Sequence, residues 1–400
     1  MKKKVVITGM GVVSPVGNGL KDFWEGLKTG TYGIAESNFF PPEMFSKRLY
    51  GSIKNFDFRP YRDFKHRIGR ASAFAITAAE EALKQAGLQD DNRANKRMGV
   101  VIGTLAGENA IRETPLLRNQ KYAIQKGYYP FFLTPLVSQN VARWFSITGP
   151  NSTISTACSS SGYALEHGCR IIENGLADIV IIGGVESFSA AGQGTFIRIN
   201  SLDSEKIRPF DKNRKGTIIG EGAGVLIIES EESAQNRGAD IFAVVKGIGL
   251  SCDGYHESAP EPEGLQIINA MKRALEEASL LPEEIDCISV HGTGTIYNDK
   301  VETKVIKVVF AHKAKSLSLT AIKSMLGHGV GAACSVAVIG AVMMMENNLV
   351  VPTINYQDKD PDCDLDYTVN KSRSSNLKNV MINSYGFGGN NISIIVSKPE

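Results

Sequence analysis

Six cysteines and six histidines in 400 residues leave few side chains for covalent or proton chemistry, and their settings set some apart. Cys158 stands in ISTACSSSG, where a short strand turns through small residues into a run with Tyr163, Leu165, Ile171 and Ile172 at helical spacing. A thiol at a helix start faces free backbone N–H groups and the positive end of the helix, and both favour thiolate. Ser159, Ser160, Ser161 and Gly162 are small enough to leave the sulfur open to a substrate. Cys158 is therefore a candidate nucleophile, and the competing reading is a buried, inert cysteine. His291 in SVHGTGT and His328 in SMLGHGVGAA each follow an apolar run and precede flexible backbone. That is how a scaffold presents a side chain to a cavity, although a lone histidine is more often structural. Lys323 in AIKSMLGH and Glu302 in NDKVETK lie close in sequence to the two histidines. Each is either a partner of these rings or a solvated surface charge. In SYGFGGNN (384–391), Gly388 and Gly389 permit backbone conformations that bring N–H groups up to a ligand, as an oxyanion requires.

Two other chemistries fit less well. No HxxxH or CxxC spacing is present, and Asp299 and Glu302 do not form an evident ligand set, so no metal is expected. GEGAG (220–224) lacks both the lysine of a phosphate loop and the GxGxxG spacing.

The elements that must position these residues alternate between strand and helix, which predicts an α/β fold. The pattern is stated twice. VVITGMGVVSPVG (5–17) reads as a β-branched strand that breaks at glycine, followed by a helix over 72–87 and a strand over 98–104. FAVVKGIGLSCDG (242–254) is followed in the same way by IINAMKRALEEASL (267–280) and DCISVHGTGT (286–295). The stretch from Ser155 to Gly184 parallels that from Thr320 to Met344. Two similar halves sharing a core are expected, residues 1–240 with Cys158 and residues 241–400 with both histidines and Lys323. SEESAQNRGAD (230–240) reads as surface at the seam.

Bulk properties narrow the class. With 42% hydrophobic and 22% charged residues the composition is that of a globular protein. A formal net charge of +2 gives no global attraction to nucleic acid or an anionic membrane. The scattered cysteines suggest a reduced, cytoplasmic setting. MKKKVVITGMGVV is too short and glycine-broken for a signal peptide, and VAVIGAVMMM (336–345) reads as a buried helix, not a membrane span.

In combination, TACSSSG, HGTGT, KSMLGH and NSYGFGGN, in this order, resemble the elongating β-ketoacyl–acyl-carrier-protein synthases. RPFDKNRKG (208–216), GEGAGVLIIE and VPTINY fit as well, and the likeness runs over essentially the whole chain. The resemblance implies a thiolase-like fold, two similar halves in an α/β/α/β/α stack. It implies that Cys158 takes an acyl group from a carrier protein or coenzyme A. The backbone N–H groups of Cys158 and Phe387 would form an oxyanion hole. His291 and His328, donating from Nε2, would hold the carbonyl oxygen of a malonyl thioester as CO₂ departs. Lys323 and Glu302 would support the histidines. Thr293 and Thr295 would contact the pantetheine arm, with Phe196 and Phe387 at the substrate. No metal or redox cofactor is implied. The partners implied are acyl carrier protein and a second subunit, in a homodimer or in a heterodimer with a chain-length-factor-like chain.

Several positions depart from the family's usual pattern: Glu108 and Asn109, RKGT (214–217) for RDGF, Tyr385 for phenylalanine and GGNN for GGTN. None removes a catalytic side chain, but together they leave the acyl substrate open, with fatty-acid, polyketide and polyene pathways all in range. Chain-length factors themselves lack the cysteine, and a thiolase would use a second one. A thiolase-fold acyl-binding protein without turnover is the rival of another class. RPYRDFKHRIGR (59–70), with Arg59, Arg62, Lys65, Arg67 and Arg70 against Asp63, carries four net positive charges and is the expected docking patch for an acidic carrier. Without the resemblance it reads as a solvated charge run.

Overall fold

The computed structural model describes residues 3–41, 43–61, 68–89, 96–109 and 136–399. Ten strands form the main path of one sheet, and the two-residue strand Gly17–Asn18 adds to its first member. In the first half these strands are β1 (Val5–Ser14), β2 (Met98–Gly103), β3 (Asn151–Ile154), β4 (Ile179–Glu186) and β5 (Gly222–Ser230). In the second half they are β6 (Ala243–Cys252), β7 (Cys287–Ser289), β8 (Ser318–Thr320), β9 (Asn379–Gly386) and β10 (Asn390–Ser397).

The duplication suspected from sequence is visible in the strand order. The first half runs β3-β2-β4-β5-β1 and the second β8-β7-β9-β10-β6. Each half pairs its second strand in parallel with the third and fourth, then turns antiparallel through the fifth to the first. The halves meet where β1 and β6 pair antiparallel over Val5–Val245, Val6–Val244 and Ile7–Ala243.

Helices repeat the scheme. Helix α1 (Arg70–Gln85) follows β1, and α2 (Leu136–Trp144) lies between β2 and β3. Helix α3 (Ser160–Glu173) sits between β3 and β4, α4 (Leu265–Ala278) after β6, α5 (Ile296–Phe310) after β7 and α6 (Ala333–Asn347) between β8 and β9. Side chains alternate across each strand, so each sheet half has two buried faces. Val180, Ile182, Leu226 and Ile228 of the first half share one core with Val380, Ile382, Ile392 and Ile394 of the second, and α3 and α6 fill the space between. Ile179, Ile181, Val225 and Ile227 pack outward on α1 and α2. Met381, Ile395 and Ile288 pack outward on α4 and α5. The stack is helix, sheet, helix, sheet, helix.

Helix α6 is apolar all round and buried from Ala333 to Met345, as a helix between two sheets must be. The continuous helical stretch Val330–Asn347 is long and apolar enough to cross a membrane, but 89% of it is buried inside the protein. Truncating a side chain such as Ile339, which has no exposed surface, should cost about 2–5 kcal/mol. The break expected at the glycines of β1 does not occur. The strand continues with only a register shift between Ile7 and Gly9, because α1 lies against it. Gln85 and Glu81 of α1 accept from the backbone N–H groups of Met10 and Val12.

Candidate active site

Cys158 occupies a single 3₁₀ turn, Ala157–Ser159, and the α-helix α3 begins only at Ser160. Ala157 stands at φ 51°, in the left-handed region that few non-glycine residues enter. Ser159 and Ser160 pin this turn by donating to the carbonyls of Thr156 and Ala157, at 2.7 and 2.6 Å. Ser384 of β9 donates to the Cys158 carbonyl at 2.9 Å. Gly386 completes the seat: a Cβ there would lie 2.6 Å from the carbonyl oxygen of Thr156.

The expectation of an uncovered, thiolate-leaning sulfur is corrected. Cys158 is 2% exposed. Burial pushes its thiol up to about 12, against the opposing pull of Lys323 and of the backbone N–H groups of Phe387 and Cys158 itself. Desolvation of a charge outweighs those dipoles in a closed pocket.

His328 follows the short helix Lys323–Leu326, and its Nε2 lies 3.0 Å from Cys158 Sγ. Its Nδ1 accepts from the Val330 N–H at 3.2 Å. His291 follows β7, and its Nδ1 faces the Tyr385 N–H at 3.4 Å. An Nδ1 that accepts leaves the proton on Nε2 in a neutral imidazole. Burial, with Lys323 adding to it, holds both histidines well below the usual imidazole range, so both are neutral Nε2–H donors. Their rings stand 5.6 Å apart and nearly perpendicular.

Glu302, on α5, accepts from the backbone N–H of His291 at 2.7 Å and of Gly292 at 2.9 Å. Lys323 donates to the carbonyl of His291 at 2.6 Å. Both charged residues therefore grip the backbone of His291. Lys323 thus supports His291 through its backbone, while the His328 ring is held by the Val330 N–H. Glu302 is pushed up to about 7 by burial, and Lys323 is pulled down by the same cause.

Cys158, His291 and His328 line a cavity of about 90 Å³ together with Phe196, Thr293, Thr295 and Phe387. The rings of Phe196 and Phe387 lie 5.3 Å apart. The Thr293 and Thr295 hydroxyls face each other at 2.9 Å. Gly388 and Gly389 both adopt φ 79°, as the glycine-rich turn required.

Arg214 and Asp299 were not read from the sequence as parts of this site. Asp299 accepts from the N–H groups of Phe210 and Gly294, at 2.8 and 3.2 Å. Arg214, paired with Asp360, donates to the carbonyls of Thr295 and Ile296. Together they brace the HGTGT loop. The signal was there in RPFDKNRKG, but only contacts across the fold give it meaning. Glu108 accepts from the Ser72 N–H in the first turn of α1, so this departure from the family pattern serves a helix end.

Of the docking patch, Arg62, Lys65 and Arg67 lie outside the described residues. Arg70 turns inward, paired with the buried Glu221 and stacked over Phe39, Phe58 and Phe74. Its charge is already neutralised, which corrects its assignment to a surface patch.

A duplicated five-layer α/β stack that holds a buried thiol against two imidazole donors defines the thiolase-like class of acyl-transfer proteins. Residues 2–234 match the beta-ketoacyl synthase N-terminal domain and residues 242–357 the C-terminal domain. The chain is 37% identical to 3-oxoacyl-[acyl-carrier-protein] synthase 2 of Staphylococcus aureus, over 100% of this chain and 99% of that one. It superposes on the ishigamide ketosynthase/chain length factor structure with a TM-score of 0.94 at 34% identity, covering all of both chains. A type II polyketide ketosynthase bound to its acyl-carrier protein, AntDE:AntF, gives 0.91 at 30%, again over all of both chains. The chain belongs to the beta-ketoacyl synthase family. It is a condensing acyltransferase.

Proposed function

We propose that this chain condenses an acyl group held on Cys158 with a malonyl unit, both delivered by acyl carrier protein, and that residues 1–240 supply the nucleophile and 241–400 the donors. The observation that carries this is His328 Nε2 at 3.0 Å from Cys158 Sγ, with the His291 ring 5.6 Å from the His328 ring in the same cavity. In the first step Cys158 sulfur attacks the thioester carbonyl. The N–H groups of Cys158 and Phe387 take the oxyanion, and the carrier thiol leaves with the proton. In the second step the malonyl thioester loses CO₂. The electron pair moves onto the thioester oxygen, where His291 and His328 donate. Charge that develops only in the transition state is where positioned donors act most strongly. The enolate carbon then attacks the acyl carbonyl, and Cys158 sulfur leaves, releasing a 3-oxoacyl thioester. Thr293 and Thr295 would contact the pantetheine arm and Phe196 and Phe387 the acyl group; all four line the cavity with Cys158.

Cys158→Ala should abolish condensation without unfolding the protein. Intact mass spectrometry after incubation with acyl-carrier protein should show one acyl adduct on the parent and none on the variant. An adduct on Cys169 or another cysteine would overturn the assignment.

The second subunit of the assembly is either another copy or a chain-length-factor-like chain. The likeness to the ishigamide ketosynthase/chain length factor structure favours the latter. Co-expression and native mass spectrometry distinguish them. The cytoplasm, where carrier-bound intermediates are made, is the compartment this function calls for.

A further inference from the structure

Glu186 ends β4 with its carboxylate fully inside the protein, 4% exposed. It takes part in no ion pair among the described residues. Its oxygens instead accept from the N–H groups of Leu105 and Ala106, both at 2.9 Å, and of Gly331 at 3.1 Å. The Thr104 hydroxyl lies 3.4 Å away. Three of these partners belong to the loop after β2, in the half that carries Cys158. The fourth, Gly331, belongs to the turn that carries His328.

That turn needs a clamp. Val330 is a β-branched residue at φ 41°, a strained conformation that persists only where neighbours impose it. Its N–H is the donor that fixes His328 Nδ1. Gly331, the next residue, is pressed against the carboxylate: a Cβ there would lie 2.8 Å from Glu186 Oε2 and 2.7 Å from Thr104 Cα. A carboxylate suits this place because it accepts on both oxygens, whereas an amide would turn an N–H₂ toward one of these N–H groups.

We propose that Glu186 is a positioning residue for the condensation. It holds the strained 328–331 turn against the other half of the molecule, and so sets the tautomer of His328 and the aim of its Nε2–H at Cys158. This rests on the role assigned to His328 above. Misplacing a reacting group by a fraction of an ångström to 1 Å costs up to about 10²-fold in rate.

The test is a double-variant cycle on CO₂ release from malonyl-carrier protein, with Glu186→Gln, His328→Ala and both together. E186Q alone should lose on the order of 10-fold. In the H328A background it should lose nothing further, because its effect runs through that ring. Ring ¹⁵N-histidine NMR should show His328 Nδ1 unprotonated in the parent and a mixed tautomer in E186Q. Should E186Q fail to fold, Glu186→Asp, which keeps the charge but shortens the reach to Gly331, enters the same cycle. E186Q or E186D at the parent rate beside a crippled H328A would overturn the inference, as would losses that multiply in the double variant. Undiminished release from H328A would instead sink the reading of the site on which the inference stands.

Discussion

His291→Ala and His328→Ala should separate the two half-reactions, and the structure says how. On the proposed mechanism, each substitution removes one Nε2–H donor from the oxygen that gains charge as CO₂ leaves. Loss of one such donor costs about 2.7–4 kcal/mol, or 10²- to 10³-fold in rate. Both variants should therefore release CO₂ from malonyl-carrier protein about 10²-fold or more slowly. The acylation step should tell them apart. His328 Nε2 lies 3.0 Å from Cys158 Sγ, whereas the His291 ring makes no hydrogen bond to the sulfur among the contacts described. A hydrogen bond to a group that gains charge, as the attacking sulfur does, contributes about 1.5–3 kcal/mol, so H328A should slow acyl transfer to Cys158 by about 10- to 10²-fold. H291A should leave it within about twofold to threefold. Radiolabelled CO₂ release and single-turnover mass spectrometry measure the two steps independently. Equal slowing of acylation in both variants, or undiminished CO₂ release from either, would refute the reasoning.

Four further perturbations probe the remaining roles. Because both histidines are held well below their usual range, neither ring should titrate between pH 8 and pH 6, and an inflection near 6.5 in the parent's malonyl decarboxylation traced to either ring would count against neutral donors. The linked stability term has a definite sign: the unfolded chain protonates these rings below about 6.5 and the folded chain does not, so their contribution to stability declines as pH falls through that value. Reversing Lys65 and Arg67 to glutamate should raise the apparent KM for acyl-carrier protein, most at low ionic strength, while leaving a small acyl-pantetheine thioester unaffected; the same change for both substrates would exclude docking there. Arg70→Ala should instead lower stability, by about 3 kcal/mol in urea unfolding, because it strands the buried Glu221 carboxylate, with carrier KM unchanged. Phe387→Ala should alter acyl-transfer rate or chain preference more than stability, since its ring rests on Phe196 at the acyl cavity with glycine on either side, where the backbone is free to swing, and unaltered kinetics and selectivity would argue against a role for the ring in admitting the acyl group.

The sequence alone determined the layout and most of the chemistry. Strand and helix periodicities are local properties, so the two parallel series from Val5 and from Phe242 announced two alike halves before any contact was known. Cys158, His291, His328 and Lys323 stood out because each sits where regular structure gives way to small or glycine-rich backbone, which is also a local signal. What the sequence could not supply was everything that depends on residues far apart meeting. The thiol looked accessible and acidic from its neighbours, yet the closed packing of Phe196, Phe387 and the second half buries it and reverses the direction of its shift. Lys323 looked like a partner of the nearby His328, but the chain turns so that its amine reaches the carbonyl of His291, 32 residues away. Arg70 looked like surface until Glu221 came to meet it from 151 positions along the chain. Desolvation and hydrogen-bond partnership are properties of the assembled interior, and only the tertiary structure decides them.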